Sequence, residues 1–127
     1  MILVLSSISL SAQSYENAIA AFNNEDYKAA FAIAEKLTDC PKAKIVLGNI
    51  YIDGLGMAHA DFSKALACYT EAAEANNAEA QYIIGSLYYS GRGVHQSYAE
   101  AAKWYKRAME QGHATAKDGY NRLYKYL

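Results

Sequence analysis

The chain has 127 residues and a mass of 14.0 kDa, a length that supplies one domain with one hydrophobic core and excludes two independent catalytic domains. It carries 12 Lys and Arg against 13 Asp and Glu, so the molecule as a whole has no electrostatic attraction for nucleic acid or an anionic membrane. The charges are uneven: residues 1–91 hold 5 basic and 10 acidic side chains, and residues 92–127 hold 7 basic and 3 acidic. We expect the basic residues of the second part to lie on solvated helix faces.

Alanine and tyrosine are the most unusual features of the composition. The chain has 24 Ala and a single Pro, and Ala favours helix over strand because it loses no side-chain entropy in a helix. It also has 12 Tyr against 3 Phe and 1 Trp. Large rings among so many small side chains predict an all-α protein in which tyrosines of one helix pack into gaps on another.

Residues 1–13 differ from the rest of the chain because they are apolar and contain no charged side chain. The stretch ends in small residues, Ser11 and Ala12, and is too short to span a bilayer, which is typical of an export signal. The first basic residue is Lys28, so the basic segment that normally opens such a signal is missing. Two interpretations remain open: an exported protein, periplasmic or secreted, that loses this leader, and a cytoplasmic protein whose first residues pack on the first helix.

The chain contains an internal repeat of 36–37 residues. The pattern Ala-x-x-x-(Leu/Ile)-Gly-x-x-Tyr-x-x-Gly-x-Gly starts at Ala43 and again at Ala80, an offset of 37 residues. The following pattern, Ala-x-x-x-Tyr-x-x-Ala, starts at Ala65 and at Ala101, an offset of 36. One residue was therefore gained or lost between the two patterns. Loops tolerate such a change and packed helices do not, so the slip predicts loops at residues 57–60 and 94–96.

Each repeat is predicted to form two helices, which we call helix A and helix B. Helix A carries apolar residues four apart together with a glycine, Gly48 or Gly85, whose missing side chain lets helix B approach. The Gly-x-Gly sequence then ends helix A, because glycine adopts the left-handed conformation that reverses the chain. Helix B begins at Asp61 in the first repeat and at Ser97 in the second, where Ser97-x-x-Glu100 predicts a capping box.

These two patterns together resemble the Sel-1-like repeat family, which is related to the tetratricopeptide repeats (TPR). The resemblance covers Pro41 to Gly112 as two full units and continues as half a unit to about Tyr124. Departures are mild, with Met57 in place of the usual Val and Cys68 in place of the usual Trp. The resemblance implies a right-handed αα-superhelix, or solenoid, that acts as an adaptor for proteins or peptides, often in bacteria and often exported, and that has no shared catalytic residues.

The repeat divides the chain into five parts. We predict a hydrophobic leader at 1–13, a divergent TPR-like helix pair at 14–38, Sel-1-like repeats at 39–76 and 77–112, and a C-terminal capping half-repeat at 113–127. The tyrosine excess follows from the repeat, because Tyr51, Tyr88 and Tyr124 fall at one repeated position that we expect in the core.

The family resemblance also implies where a partner binds. If helix A lines the concave side of the superhelix, as in tetratricopeptide repeats, its positions outside the core face the ligand. Tyr82 and Tyr89 are the best candidate anchors, since exposed Tyr gives a large contact area at little entropic cost. An equally weighted alternative is that Tyr82 packs on the neighbouring helix. The predicted contact residues are Lys42, Ile45, Asn49, Ile52, Glu79, Tyr82, Ser86, Tyr89, Arg122 and Lys125, with Thr115 and Asp118 on the same helix as Arg122.

The remaining candidates for chemistry are weak. The Gly-x-Gly sequences lack the Lys-Ser/Thr of a phosphate-binding loop, and the imidazoles of His59 and His95 are expected one repeat apart, too far to share a metal. Cys40 and Cys68 are expected too distant for a disulfide. No catalytic triad or acid pair is evident. We therefore expect no cofactor, no metal and no enzymatic activity.

The sequence thus predicts a non-enzymatic module that binds a protein or peptide in its concave groove, as an adaptor or neutralising partner. We expect a monomer with no membrane span and no nucleic-acid partner. A self-associating structural subunit, joined through its exposed ends, is the main alternative. A cell-wall or lactam hydrolase is a distant third.

Overall fold

The computed structural model describes residues 10–57 and 59–127. Over these residues the chain forms seven α-helices and no strand, which confirms the all-α prediction. The helices are α1 (Leu10–Asn23), α2 (Tyr27–Glu35), α3 (Pro41–Asp53), α4 (Phe62–Glu74), α5 (Ala78–Ser90), α6 (Tyr98–Glu110) and α7 (Ala114–Tyr124). Residues 1–9 of the predicted leader lie outside the described part, and its last four residues form the start of α1.

Helices A and B alternate along the chain and form two layers. The helices A are α1, α3, α5 and α7, and the helices B are α2, α4 and α6. Each helix packs on its sequence neighbours, and α1 also contacts α3 while α5 contacts α7. Among the described residues, no contact of comparable extent joins two helices B. Direct contacts between helices of one layer therefore occur among the helices A, at α1 with α3 and at α5 with α7.

The loops inside the repeats include the predicted residues, 57–60 and 94–96, and are longer than these. The first runs from residue 54 to 61 and the second from 91 to 97, so they differ by the one residue that the offset requires. Gly54 and Gly91 end their helices with φ of 64° and 72°, a left-handed conformation that a residue with a side chain adopts only at a cost. Glycine is favoured at both positions, and at Gly54 a Cβ atom would also lie only 2.7 Å from the backbone nitrogen of Ala60.

Helix B begins at the predicted caps. The Asp61 carboxylate accepts a hydrogen bond from the Lys64 backbone N–H at 3.0 Å, and the Ser97 hydroxyl accepts one from the Glu100 N–H at 3.2 Å. The second half of the predicted capping box is wrong. The Ser97 N–H donates instead to the Tyr88 carbonyl at 2.9 Å, and the Glu100 carboxylate pairs with Lys103 at 3.1 Å.

The glycines of helix A admit the tyrosines of helix B, as predicted. A Cβ atom at Gly48 would lie 2.5 Å from the ring of Tyr69, and one at Gly85 would lie 2.6 Å from the ring of Tyr105. Both rings are therefore in direct contact with helix A backbone. Tyr69 is 1% exposed and Tyr105 is 5% exposed, so these rings are central parts of the core.

The predicted core position of Tyr124 is wrong. Tyr51 and Tyr88 are half-buried and pack against the core, but Tyr124 is 68% exposed. The first two tyrosines are covered by the helix B that follows them. In the described part of the chain no helix follows α7, so Tyr124 has nothing to cover its ring.

Candidate functional site

Four of the predicted contact residues line one cleft on the helix-A side. We call it the amino-terminal cleft. It has a volume of about 320 Å³ and spans three successive helices A, so a ligand in it would meet several elements at once. Its lining combines apolar surface with an ammonium, a carboxylate and amides, a mixture suited to a peptide. The lining residues are Tyr15, Ile19, Lys42, Ile45, Val46, Asn49, Asn77 and Glu79.

Some polar groups of the amino-terminal cleft already have partners. The Glu79 carboxylate lies 2.8 Å from Nε2 of His113, and the Lys42 ammonium lies 5.7 Å from the centre of the Tyr15 ring. The Asn49 side-chain oxygen accepts a hydrogen bond of 2.6 Å from the Tyr69 hydroxyl. The amide N–H groups of Asn49 remain as donors in the cleft.

Asn49 and Ser86 are equivalent positions, and each holds the tyrosine of the following helix B. The Ser86 hydroxyl donates to the Tyr82 carbonyl at 3.1 Å and is hydrogen-bonded to the Tyr105 hydroxyl at 3.2 Å. Burial raises the pKa of both Tyr69 and Tyr105 above the ordinary tyrosine value. Ser86 therefore has a structural role in holding Tyr105, and it does not line the amino-terminal cleft.

Tyr82 packs within the repeat, as the alternative interpretation held. Its ring is stacked on Tyr105 with centroids 5.8 Å apart and on His113 with centroids 4.7 Å apart. His113 in turn caps α7, because its Nδ1 accepts a hydrogen bond from the Ala116 N–H at 3.1 Å. Tyr82 thus joins α5 to α6 and to the start of α7, and replacing it would disturb this junction.

Ile52 does not face a ligand, and its assignment to the groove is wrong. The side chain is only 7% exposed and packs in the core that also contains Ile84 and Leu87 of the next repeat. Ile52 lies in the last turn of α3 and belongs to a buried cluster formed with residues of α4 and α5. The equivalent residue of the second repeat, Tyr89, is 44% exposed.

The other three predicted residues line a second cleft near the C-terminal ends of α5 and α7. We call it the tyrosine cleft; its volume is about 400 Å³. The Tyr89 ring is stacked on Tyr98 with centroids 5.4 Å apart, and the Tyr98 centroid is 5.9 Å from that of Tyr126. The lining residues are Tyr89, Tyr98, Arg122, Leu123, Lys125 and Tyr126.

Tyr98 and Tyr126 were not among the predicted contact residues. A signal for Tyr98 was present, because an aromatic residue follows the N-cap of every helix B: Tyr27, Phe62 and Tyr98. Tyr126 gives no such signal, since its place in the cleft depends on how α7 packs on α6. Thr115 and Asp118 are exposed on α7 and line neither cleft.

Within residues 10–57 and 59–127, no group of three His, Cys, Asp or Glu side chains is placed to hold a metal ion. Cys40 and Cys68 are free thiols, and burial raises the pKa of Cys68. None of the helices in the described part is long and apolar enough to cross a membrane.

Two stretches of the chain match the family model of the Sel1 repeat, residues 41–77 and 78–113. Together they span the stretch from Pro41 to Gly112 that carries the repeat motifs. No curated protein matches the chain in sequence.

Two crystal structures resemble this one over most of its length. A Sel1 repeat protein from Oxalobacter formigenes is 31% identical, with a TM-score of 0.80 over 86% of this chain. The protein c5321, a protective antigen present in uropathogenic Escherichia coli strains and displaying an SLR fold, is 25% identical, with a TM-score of 0.83 over 92% of this chain. The alignments cover 45% and 26% of those two proteins, so this chain corresponds to less than half of either.

Proposed function

Because the chain belongs to the Sel1 repeat family, as its motifs predicted, we propose that it is a non-enzymatic adaptor or neutralising partner that holds a protein or peptide on its concave side. Sel1 repeat proteins are helical scaffolds that generally mediate protein–protein interactions. The mechanism proposed here is complementarity between a rigid curved surface and its ligand.

The amino-terminal cleft is the observation that carries this proposal. It crosses α1, α3 and α5, so one bound segment would contact both the divergent helix pair and the two repeats. Ile45 and Ile19 offer apolar surface beside the Lys42 ammonium and the amide of Asn49. A peptide there can bury side chains on the isoleucines while its backbone carbonyls accept hydrogen bonds from the amide.

Site-specific photo-crosslinking in the native host tests the proposal. A photoreactive amino acid at Lys42 is expected to give an adduct of defined mass with a partner protein. The matched control carries the same amino acid at Ala32, which is exposed on α2, a helix B. Adducts from Ala32 that equal those from Lys42, or no adduct from Lys42, would contradict binding on the concave side.

We further propose that residues 1–13 direct export to the periplasm or the medium. The support is the apolar, uncharged sequence that ends in Ser11 and Ala12. N-terminal sequencing of protein from the host is expected to find a start near Gln13. An intact Met1 on cytoplasmic protein would contradict export.

A second candidate function is self-association through the C-terminal end. Exposed apolar side chains favour it, since Tyr124, Tyr126 and Leu127 are 68%, 64% and 60% exposed. Sedimentation equilibrium over a hundredfold range of concentration is expected to show a rising mean mass if this end self-associates. A constant monomer mass would exclude it over that range.

A further inference from the structure

The tyrosine cleft lies beside Tyr98. At the equivalent place in the first repeat, beside Phe62, a loop of the chain packs in place of a cleft. In the first repeat, the aromatic residue after the N-cap of helix B is Phe62, and the loop of the next repeat packs on it. A Cβ atom at Gly93 would lie 3.0 Å from the Cβ of Phe62, so the backbone of that loop is in close contact with the aromatic residue. Arg92 covers the same ring at 5.8 Å and pairs with Asp53 at 2.6 Å.

Tyr98 is the equivalent of Phe62, but no glycine loop packs on it. With the offset of 36 residues, Leu127 holds the position of Gly91, so the first glycine of the turn is not repeated there. Tyr126 lies beside Tyr98 and borders a cleft of about 400 Å³. A short segment of chain therefore fits beside Tyr98 in this cleft, as the loop of the second repeat fits beside Phe62.

The walls of the cleft are preformed. Tyr89 and Tyr98 are stacked with an angle of 25° between their planes, and Leu123, which is 1% exposed, anchors the floor to the core. At the same time, Tyr89 and Tyr126 are 44% and 64% exposed. Rigid, exposed tyrosines offer a large contact area at low entropic cost, which is how aromatic anchors act in protein interfaces.

The charge of the cleft selects the chemistry of its occupant. Arg122 and Lys125 line it, and no acidic side chain does. Asp118 lies four residues before Arg122 on α7, yet the two are not within ion-pair distance, and Glu100 near the start of α6 is paired with Lys103. A second copy docked here by the same end would bring cations against cations, whereas a carboxylate between Arg122 and Lys125 would be bound by both.

We propose that the tyrosine cleft binds an acidic segment of a protein partner, with an Asp or Glu side chain between Arg122 and Lys125 and a neighbouring apolar side chain against Tyr98. This inference rests on the proposed adaptor function and names the chemistry of one contact. The amino-terminal cleft then contacts a different part of the same partner. The two sites can be tested separately because they share no residue.

Selection of peptides from a random 12-residue display library on the immobilised protein tests the inference. The enriched peptides are expected to contain Asp or Glu next to an aromatic or aliphatic residue. Synthetic peptides with blocked ends are then compared with versions that carry Asn or Gln instead of the acid. We expect at least a tenfold weaker Kd for the amide versions.

Two matched double variants locate the binding. The variant Arg122→Gln with Lys125→Gln is expected to weaken the selected peptides at least tenfold. The control variant Lys106→Gln with Lys117→Gln removes the same charge from exposed positions outside the cleft, and it is expected to change Kd by less than twofold. Because all four side chains are exposed, each variant is expected to keep the wild-type circular dichroism spectrum.

Several outcomes would overturn the inference. Enrichment of neutral or basic peptides would do so, as would equal loss of binding in the two double variants. Tighter binding of a 12-nucleotide single-stranded DNA than of the selected peptides would indicate an anion site of another class. Peptides that shift the amide resonances of Lys42 and Ile45, and not those of Tyr98 and Arg122, would contradict the tyrosine cleft and leave the proposed adaptor function intact.

Discussion

The two repeats place equivalent residues in different surroundings. Ile52 in the first repeat is 7% exposed, and its equivalent in the second repeat, Tyr89, is 44% exposed. The sequence pattern around them is the same, but Ile52 packs in a cluster with residues of α4 and α5, and Tyr89 borders an open cleft lined by α7. Burial at this position therefore depends on the residue itself and on its neighbours in space. The same pattern can give core in one repeat and a binding surface in the next.

The aromatic residues at the N-terminal ends of α4 and α6, Phe62 and Tyr98, also have different neighbours. Phe62 packs on a glycine loop and under Arg92, whereas Tyr98 is surrounded by two other tyrosines. Phe62 and Tyr98 are exposed to the same extent, 42% and 40%. What differs is the neighbour of each ring. Phe62 packs against the backbone of a loop, whereas Tyr98 packs against side chains that border a cleft.

The largest expected effect tests the difference in burial between Ile52 and Tyr89. Ile52→Ala removes buried methylene and methyl groups and leaves a cavity among α3, α4 and α5, so we expect a loss of about 3 kcal/mol in the free energy of unfolding. Tyr89→Ala removes an exposed ring and is expected to cost less than about 1 kcal/mol. Urea unfolding followed by circular dichroism measures both. Equal losses would show that the two positions are not as different as the structure indicates.

Alanine is expected to have opposite effects on stability at two equivalent positions of helix A. It should destabilise the fold at Gly85 and stabilise it at Asn121. Gly85→Ala places a Cβ atom 2.6 Å from the Tyr105 ring. That ring cannot retreat, because a Cβ at Gly119 would also lie 2.8 Å from it. We expect a net loss of about 2 kcal/mol, although alanine favours the helix by about 1 kcal/mol.

The matched change is Asn121→Ala in α7, at the position equivalent to Gly85. Asn121 is exposed, so only helix propensity changes and a gain of about 0.5 kcal/mol is expected. Thermal unfolding of the two variants is the measurement. Stabilisation by Gly85→Ala would contradict the close contact between Tyr105 and α5.

The helices and loops were predictable because their signals are local. The glycines that end helix A, the caps of helix B and the one-residue difference between loops can all be read from short segments. The faces of helix A were predictable for the same reason, since Lys42, Ile45 and Asn49 follow helical spacing and line one cleft.

The errors concern contacts between repeats. The spacing that puts Ile52 on the face of Asn49 says nothing about the residues of α4 and α5 that pack with Ile52. Tyr124 fits the pattern of Tyr88, yet it is exposed because its burial needs a further helix. Tyr126 joins the tyrosine cleft only through the packing of α7. Such contacts depend on residues tens of positions apart, and no periodicity within one repeat encodes them.

Alkaline pH should distinguish the buried tyrosines from the exposed ones. Burial raises the pKa of Tyr69 in the folded state above the ordinary value of 10.0, so the unfolded chain releases this proton at lower pH. The protonated Tyr69 therefore contributes its full stabilisation of the folded state below about pH 10, and this contribution is lost as the pH rises further. At pH 11 we expect a loss of about 1 kcal/mol for this group.

Tyr69→Phe is the control for the alkaline loss. It removes the ionisable group, so its stability should fall less between pH 9 and pH 11 than that of the wild type. At pH 7 it loses the hydrogen bond to Asn49, at a cost of about 1 kcal/mol. The ultraviolet absorbance of tyrosinate reports which rings ionise before unfolding. Ionisation of all tyrosines in one step near pH 10, with the fold intact, would contradict the burial.

The smallest expected effect concerns the ion pair between Asp53 at the end of α3 and Arg92 in the loop of the second repeat. Arg92 and Asp53 lie 2.6 Å apart with about half of each side chain exposed, so Arg92→Gln should cost about 0.5 kcal/mol at low salt and less at 1 M salt. In the tyrosine cleft, Arg122 lies in the last turn of α7 and has no ion pair among the described residues, so Arg122→Gln should lose only the weak attraction to the C-terminal end of that helix, about 0.3 kcal/mol. Salt-dependent urea unfolding of the two variants makes the comparison. A salt-dependent loss for Arg122→Gln as large as that for Arg92→Gln would mean that this guanidinium is already paired in the folded chain, and it would then be less available to an acidic partner.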